Sequence, residues 1–149
     1  ITDNITMFKI SKKADYALIA LTHLSMSNRK VSAKEIADYY NFSSQMMSKV
    51  MKDLAIAGYL SGYRGTSGGY QLVIDPNSVS LGDVLKAIDG PMAIVDCVES
   101  NYGCPAINSC LTHKMLIKVQ KDIQSLIDNI SLHELITDKN NKRIKHELN

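Results

Sequence analysis

The run from Val31 to Ile74 constrains the fold more than any other part of the chain, because helix, tight turn, helix and hairpin follow one another with almost no spare residues. In VSAKEIADYYN, Ser32 and Glu35 form an S-x-x-E capping box and Ile36, Ala37 and Tyr40 recur at helical spacing, which predicts a short helix facing a core. Asn41 and Phe42 break it. SSQMMSKVMKDLAIAG then supplies Ser43 as N-cap, an apolar stripe of Met47, Val50, Met51 and Leu54, and Gly58 as a stop. Tyr59 to Tyr63 and Tyr70 to Ile74 alternate loosely about RGTSGG, the pattern of a two-stranded hairpin with a glycine-rich tip. A hairpin directly after such a helix pair is a wing. The expected fold class is therefore mainly α with a small β-hairpin wing, a winged helix-turn-helix.

That order gives meaning to an otherwise ordinary polar face. Ser43, Ser44, Gln45, Ser48 and Lys49 lie opposite the apolar stripe of the second of these helices, and hydroxyl, amide and ammonium groups there suit base edges and phosphates. Alone, such a face is more often simply solvated. The wing that follows shifts the reading toward double-stranded DNA, with Arg64 at its tip placed to enter a minor groove. A phosphate-binding loop is the competing reading of the glycines, but it needs a Gly-Lys-Ser/Thr ending that opens a helix, and this run ends in Gln71-Leu72-Val73.

A first helix precedes this unit in ISKKADYALIALTHLSMS, with Ser11 as N-cap and Tyr16, Ile19, Ala20 and His23 or Leu24 at helical spacing. Asp15 falls in its first turn or two, where an acid favours the helix dipole without further purpose. His23 reads as a packing or surface residue. After the hairpin, Asp75-Pro76-Asn77 forms a turn, and Ser80 with Asp83 caps LGDVLKAIDG, which Gly90-Pro91 closes. Farther on, Leu111, Met115, Val119, Ile123, Leu126 or Ile127 and Ile130 make one stripe of about five turns. Its most economical partner is the same helix of a second chain, giving a homodimer suited to a palindromic operator. Ser131 and Glu134 cap a last short helix, and TDKNNKRIKHELN reads as a solvated, partly disordered tail. Residues 1–75 are thus expected to form the DNA-binding domain, and 76–149 a ligand loop (about 91–113), a dimerisation helix (about 110–130) and the tail.

Within the second part lies DCVESNYGCPAINSCLTHK, which holds all three cysteines, Cys97, Cys104 and Cys110. Gly103, Pro105, Asn101, Asn108 and Ser109 disfavour a continuous helix or a central strand, so a loop is expected, able to fold its thiols toward one point. His113 follows Cys110 by three residues as a candidate fourth ligand. Core-filling cysteines normally sit on periodic apolar elements, unlike these, and an odd count argues against a closed set of internal disulfides. Structural zinc usually takes pairs two to four residues apart, whereas six and five residues separate these cysteines, so zinc is the second reading and an iron–sulfur cluster the first. A thiol redox switch without metal is a third.

Charge adds a mild tilt. Residues 1–75 carry nine Lys or Arg against six Asp or Glu, and residues 76–149 carry eight against nine, so the first half favours an anionic partner. The opening ITDNITMF lacks the features of an export signal and the stretch from Tyr16 to Asn28 is too short to span a bilayer, so a cytoplasmic protein with no membrane partner is expected. Reduced thiols are then available for metal or redox chemistry. No nucleotide fingerprint, activated serine or paired carboxylates suggest an enzyme.

Taken together, ADYALIAL, the helix-turn-helix, RGTSGGY, SLGDVLKAIDG, the three-cysteine loop and the long helix resemble the IscR/NsrR-type iron–sulfur transcription regulators across nearly the whole chain. The resemblance implies a homodimeric DNA-binding protein, in most cases a repressor, whose cluster state sets operator affinity and senses cluster supply, redox state or nitric oxide. CLTHK with His113 is similar to the IscR pattern of three cysteines and a histidine on a two-iron two-sulfur cluster, the favoured cofactor. ADYAL with Asp15, together with VDC, GCP and SLHELI, resembles NsrR, in which an aspartate from the partner subunit completes a four-iron four-sulfur cluster. The first cysteine gap is six residues where five is commoner. The rival reading is a cluster-free or zinc-bearing dimeric regulator using its cysteines as a thiol redox switch.

Overall fold

A computed structural model describes residues 9–98 and 103–137. The flanking residues 1–8 and 138–149, which include most of the expected tail, lie outside the described residues. Helices α1 (Lys12–Met26), α2 (Ala33–Tyr40) and α3 (Ser44–Ile56) are followed by strands β1 (Leu60–Tyr63) and β2 (Gly69–Leu72), then α4 (Leu81–Asp89), α5 (His113–Asp128) and α6 (Leu132–Thr137). The fold is mainly helical with one antiparallel hairpin, as the sequence pattern predicts.

Local chemistry fixes most of the helix ends. The Ser11 hydroxyl accepts the Ala14 N–H at 3.0 Å to open α1. Reciprocal capping boxes open α2, between Ser32 and Glu35, and α4, between Ser80 and Asp83. Asn41 ends α2 in the left-handed region at φ 57°, a conformation its short amide side chain tolerates. Gly58 ends α3 at φ 85°, with its neighbour Tyr59 donating its N–H to Leu54 O at 3.0 Å, a Schellman closure.

The core gathers Ala17, Ala20, Leu21 and Leu24 of α1, Ile36 and Ala37 of α2, and Met47, Val50, Met51 and Leu54 of α3, with Val84 and Ile88 of α4 and Leu132 of α6. Truncating a fully buried member such as Leu54 to alanine would cost roughly 2–5 kcal/mol. Helix α5 is different: none of its residues is buried. The hairpin registers Leu60 with Leu72 and Tyr63 with Gly69. Its second strand also bridges to Val31, whose N–H donates to Tyr70 O at 3.0 Å and whose carbonyl accepts the Tyr70 N–H at 2.8 Å. The wing is thereby stitched to the α1–α2 connection, which the sequence pattern did not suggest. Among the described residues no helix is long and apolar enough to cross a membrane.

Candidate functional site

Helix α3 presents two opposed faces. Met47, Val50, Met51 and Leu54 turn inward, while Ser43, Ser44, Gln45, Ser48, Lys49 and Lys52 are all exposed. The Ser43 hydroxyl accepts the Met46 N–H at 3.3 Å, so this side chain caps the helix as well as lying at its exposed start. The beginning of α3 is anchored by Phe42, which stacks between Tyr16 at 4.2 Å and Tyr40 at 5.7 Å, ring centroid to centroid. A salt bridge of 2.7 Å from Lys13 to Asp53 ties α1 to the other end of α3. The helix is thus tied at both ends with its polar face exposed.

At the hairpin, Arg64 follows β1 and is exposed beside Gly65, whose φ of 100° makes the tight tip. The Gly68 N–H closes that tip on Gly65 O at 3.0 Å. Lys30, from the α1–α2 connection, sits 3.9 Å above the centroid of Tyr63, the residue before Arg64. Sequence reasoning had no signal for Lys30, because the contact joins segments far apart in the chain.

The cysteine segment begins where α4 ends. Ser11 Oγ donates to Asp89 Oδ1 at 2.8 Å, joining the last turn of α4 to the start of α1, whose first turn carries the exposed Asp15. From there the chain passes Met92 and Ile94 into a single 3₁₀ turn, Asp96–Val98, containing Cys97. Gln120 of α5 grips this limb: its Oε1 accepts the Ile94 N–H at 2.9 Å and its Nε2 donates to Met92 O at 2.7 Å. A polar residue sharing a helix face with Leu116, Ile123 and Ile127 was the available sequence signal for that grip.

All three cysteines are free thiols of intermediate exposure. Cys110 lies just before α5 with its sulfur 3.3 Å from Thr112 Oγ1. That hydroxyl, with the backbone N–H groups of Thr112 and His113, lowers the Cys110 thiol pKa from its ordinary value. His113 opens α5, and among the described residues its buried Nδ1 has no hydrogen-bond partner. Three thiols and an unpartnered imidazole nitrogen form a donor set chemically suited to iron. Among the described residues no three His, Cys, Asp or Glu side chains are gathered in one place, so the candidate ligands stand along the segment and are not brought together.

The long helix explains its own lack of burial. Leu111, Met115, Val119 and Leu126 are 96%, 69%, 39% and 63% exposed and fall along one side of α5 and its approach. Ile123 and Ile127, read from the sequence as part of the same stripe, are half-buried and share the face of Gln120. The apolar surface is therefore split between an inner face and an outer one.

Residues 10–138 match the family profile described as Rrf2, iron-dependent transcriptional regulator. The chain is 30% identical over 132 residues to Protein rrf2 of Nitratidesulfovibrio vulgaris, covering 87% of this chain and 88% of that protein. It is 27% identical over 143 residues to the HTH-type transcriptional regulator IscR of Aliivibrio salmonicida, covering 95% and 84%. Among solved structures it is similar to CymR (YrzC), the global cysteine regulator of B. subtilis, with 26% identity and a TM-score of 0.71 over 87% of this chain and 97% of that one. With a winged helix-turn-helix in the structure and a family match over nearly all of the described chain, this protein belongs to the Rrf2 family and is a DNA-binding transcription regulator.

Proposed function

We propose that the chain acts in the cytoplasm as a homodimeric repressor whose operator affinity is set by an iron–sulfur cluster on Cys97, Cys104 and Cys110. His113, or Asp15 of the partner subunit, is the fourth ligand. Residues 1–75 read DNA through Ser43, Ser44, Gln45, Ser48, Lys49 and Arg64, and residues 76–149 sense and pair. The observation that carries the reading is the donor set: three free thiols in one segment, with the orphaned His113 nitrogen at the start of the helix that follows them. When bound, such a cluster supplies a redox- and nitric-oxide-sensitive centre, two-iron two-sulfur being favoured and four-iron four-sulfur the other form. The exposed apolar residues on the outer side of α5 support the dimer, since Leu111, Met115, Val119 and Leu126 together leave much apolar surface in water.

Purification without oxygen, followed by iron and sulfide assay and visible absorption, tests the cofactor. Binding of the loaded and stripped protein to a duplex selected from a random pool tests its effect. Colour, iron and a difference in affinity are expected; a colourless, iron-free protein with full affinity sinks the proposal.

The second reading is a cluster-free regulator that switches through its thiols. It is favoured by the likeness to CymR and by three cysteines that are unpaired and partly exposed. In that case the iron-free protein would lose DNA binding on mild oxidation and regain it with dithiothreitol.

A further inference from the structure

We propose that Lys30 is a positioning residue for DNA recognition, holding the wing through the face of Tyr63 so that Arg64 is presented to the duplex. The inference rests on the wing being a DNA contact. Lys30 immediately precedes Val31, whose two backbone hydrogen bonds to Tyr70 form an isolated antiparallel bridge that joins the α1–α2 connection to the hairpin. On that framework the Lys30 ammonium reaches the Tyr63 ring at 3.9 Å. Tyr63 is the last residue of β1 and pairs with Gly69, so it is the final anchored point before the tip. Beyond it, among the described residues, no hydrogen bond or ion pair joins Arg64, Thr66 or Ser67 to the helices. The direction in which Arg64 departs is therefore set by how firmly Tyr63 is held, and a cation over an aromatic face is a directional hold.

A second consequence follows from charge. A lysine resting on a tyrosine keeps its positive charge beside the wing base while its position is fixed, so the pair orders the wing without removing charge from the DNA-facing side. A phosphate contact by Lys30 itself is a different role, and substitutions separate the two. Loss of a phosphate contact falls on Lys30 alone, whereas loss of positioning is shared by Lys30 and Tyr63 and acts only through Arg64.

The test uses the full-length protein and a duplex that the wild type selects from a random pool, with affinity read by fluorescence anisotropy. Lys30→Met and Tyr63→Leu should each weaken binding by about three- to fivefold, the size expected of an exposed cation–π contact. Lys30→Arg should restore it, the double variant should be no weaker than either single one, and neither change should matter in an Arg64→Ala background. Amide exchange at Gly68 in the free protein should quicken in Tyr63→Leu. Weak binding by Lys30→Met alone, losses that add to that of Arg64→Ala, or unchanged Gly68 exchange would each overturn the positioning role. If Arg64→Ala by itself leaves affinity unchanged, the failure belongs to the wing reading and the inference falls with it.

Discussion

Gly69 lies so close to Val31 that a Cβ added to it would stand 2.9 Å from the Val31 carbonyl carbon. Its φ of 135° is also one that residues with side chains rarely adopt. Glycine is required there twice over, by conformation and by space, since backbone cannot give way as a flexible side chain can. Gly69→Ala should destabilise the fold by at least about 2 kcal/mol, measured by urea unfolding. A loss below half that would mean the wing and the α1–α2 connection are not stitched as described.

His23 is 4% exposed, with Nδ1 3.3 Å from the Tyr40 hydroxyl and its ring edge-on to Tyr39 and Tyr40. Burial holds its pKa below the ordinary 6.5, the Arg29 charge adds to this, and Glu35 opposes it. Below about pH 6.5 the unfolded chain takes up a proton that the folded chain does not, so stability is full above that pH and falls as pH drops toward the folded-state value. Glu35 and Asp83 are also lowered, by the Arg29 hydrogen bond and by the Ser80 backbone N–H, but from ordinary values of 4.5 and 3.8. Their contribution is lost only at lower pH. Urea midpoints should therefore fall between pH 7.5 and 5.5 in the wild type and much less in His23→Gln; equal midpoints in the wild type would refute the linkage.

Leu126 is 63% exposed on the outer face of α5, so replacing it leaves the interior untouched. Leu126→Asp should remain folded by circular dichroism yet sediment as a monomer, with DNA binding weakened because two half-sites are no longer engaged by one molecule. Val119→Asp should act alike. A wild type that is itself monomeric at micromolar concentration contradicts the dimer.

Gln120 fastens the limb leading to Cys97 with two side-chain hydrogen bonds to backbone. Gln120→Leu keeps the bulk and removes both, at about 1–3 kcal/mol in total. Faster amide exchange at Ile94 and faster alkylation of Cys97 by iodoacetamide are the expected signs. Unaltered rates at both would show that the limb is held by something else.

Much of the architecture is legible in the chain because its signals are local. Ser32 with Glu35, Ser80 with Asp83, and Gly58 each act within a few residues, so capping chemistry can be read directly. What escapes is whatever joins distant segments. The Val31–Tyr70 bridge and the Lys30–Tyr63 contact span the whole helix-turn-helix, and His23 finds its aromatic neighbours on α2. The α5 stripe was legible as apolar but not as divided, since adjacent faces of one helix share the same periodicity until neighbours are known. The exposed polar face of α3 was legible because it is the complement of an apolar stripe; its role as a site rests on the wing beside it.

The fourth ligand is the prediction that separates the signals this protein can answer. His113 stands at the first turn of α5 with Nδ1 unpartnered, three residues from Cys110, so ligation by it would stay within one segment. Asp15 stands exposed in the first turn of α1, the turn that Ser11 ties to Asp89 at the entrance to the cysteine segment. Ligation by Asp15 of the partner subunit would link the sensing loop of one protomer to the helix that, in its partner, Lys13 joins to α3, and hence to the face proposed to read DNA, so that its release would free that face to move. A neutral imidazole would raise the reduction potential relative to a fourth thiolate and favour a sensor of redox state or cluster supply, whereas a weakly held carboxylate leaves an exchangeable iron suited to nitric oxide. His113→Ala and Asp15→Ala, reconstituted anaerobically with iron and sulfide, should differ: loss of the true ligand changes the visible spectrum and shortens the cluster's lifetime, and loss of the other leaves both intact. His113 is expected to be that ligand. If Cys97→Ala, Cys104→Ala and Cys110→Ala each retain iron as the wild type does, neither residue is a ligand and the thiol-switch reading takes its place.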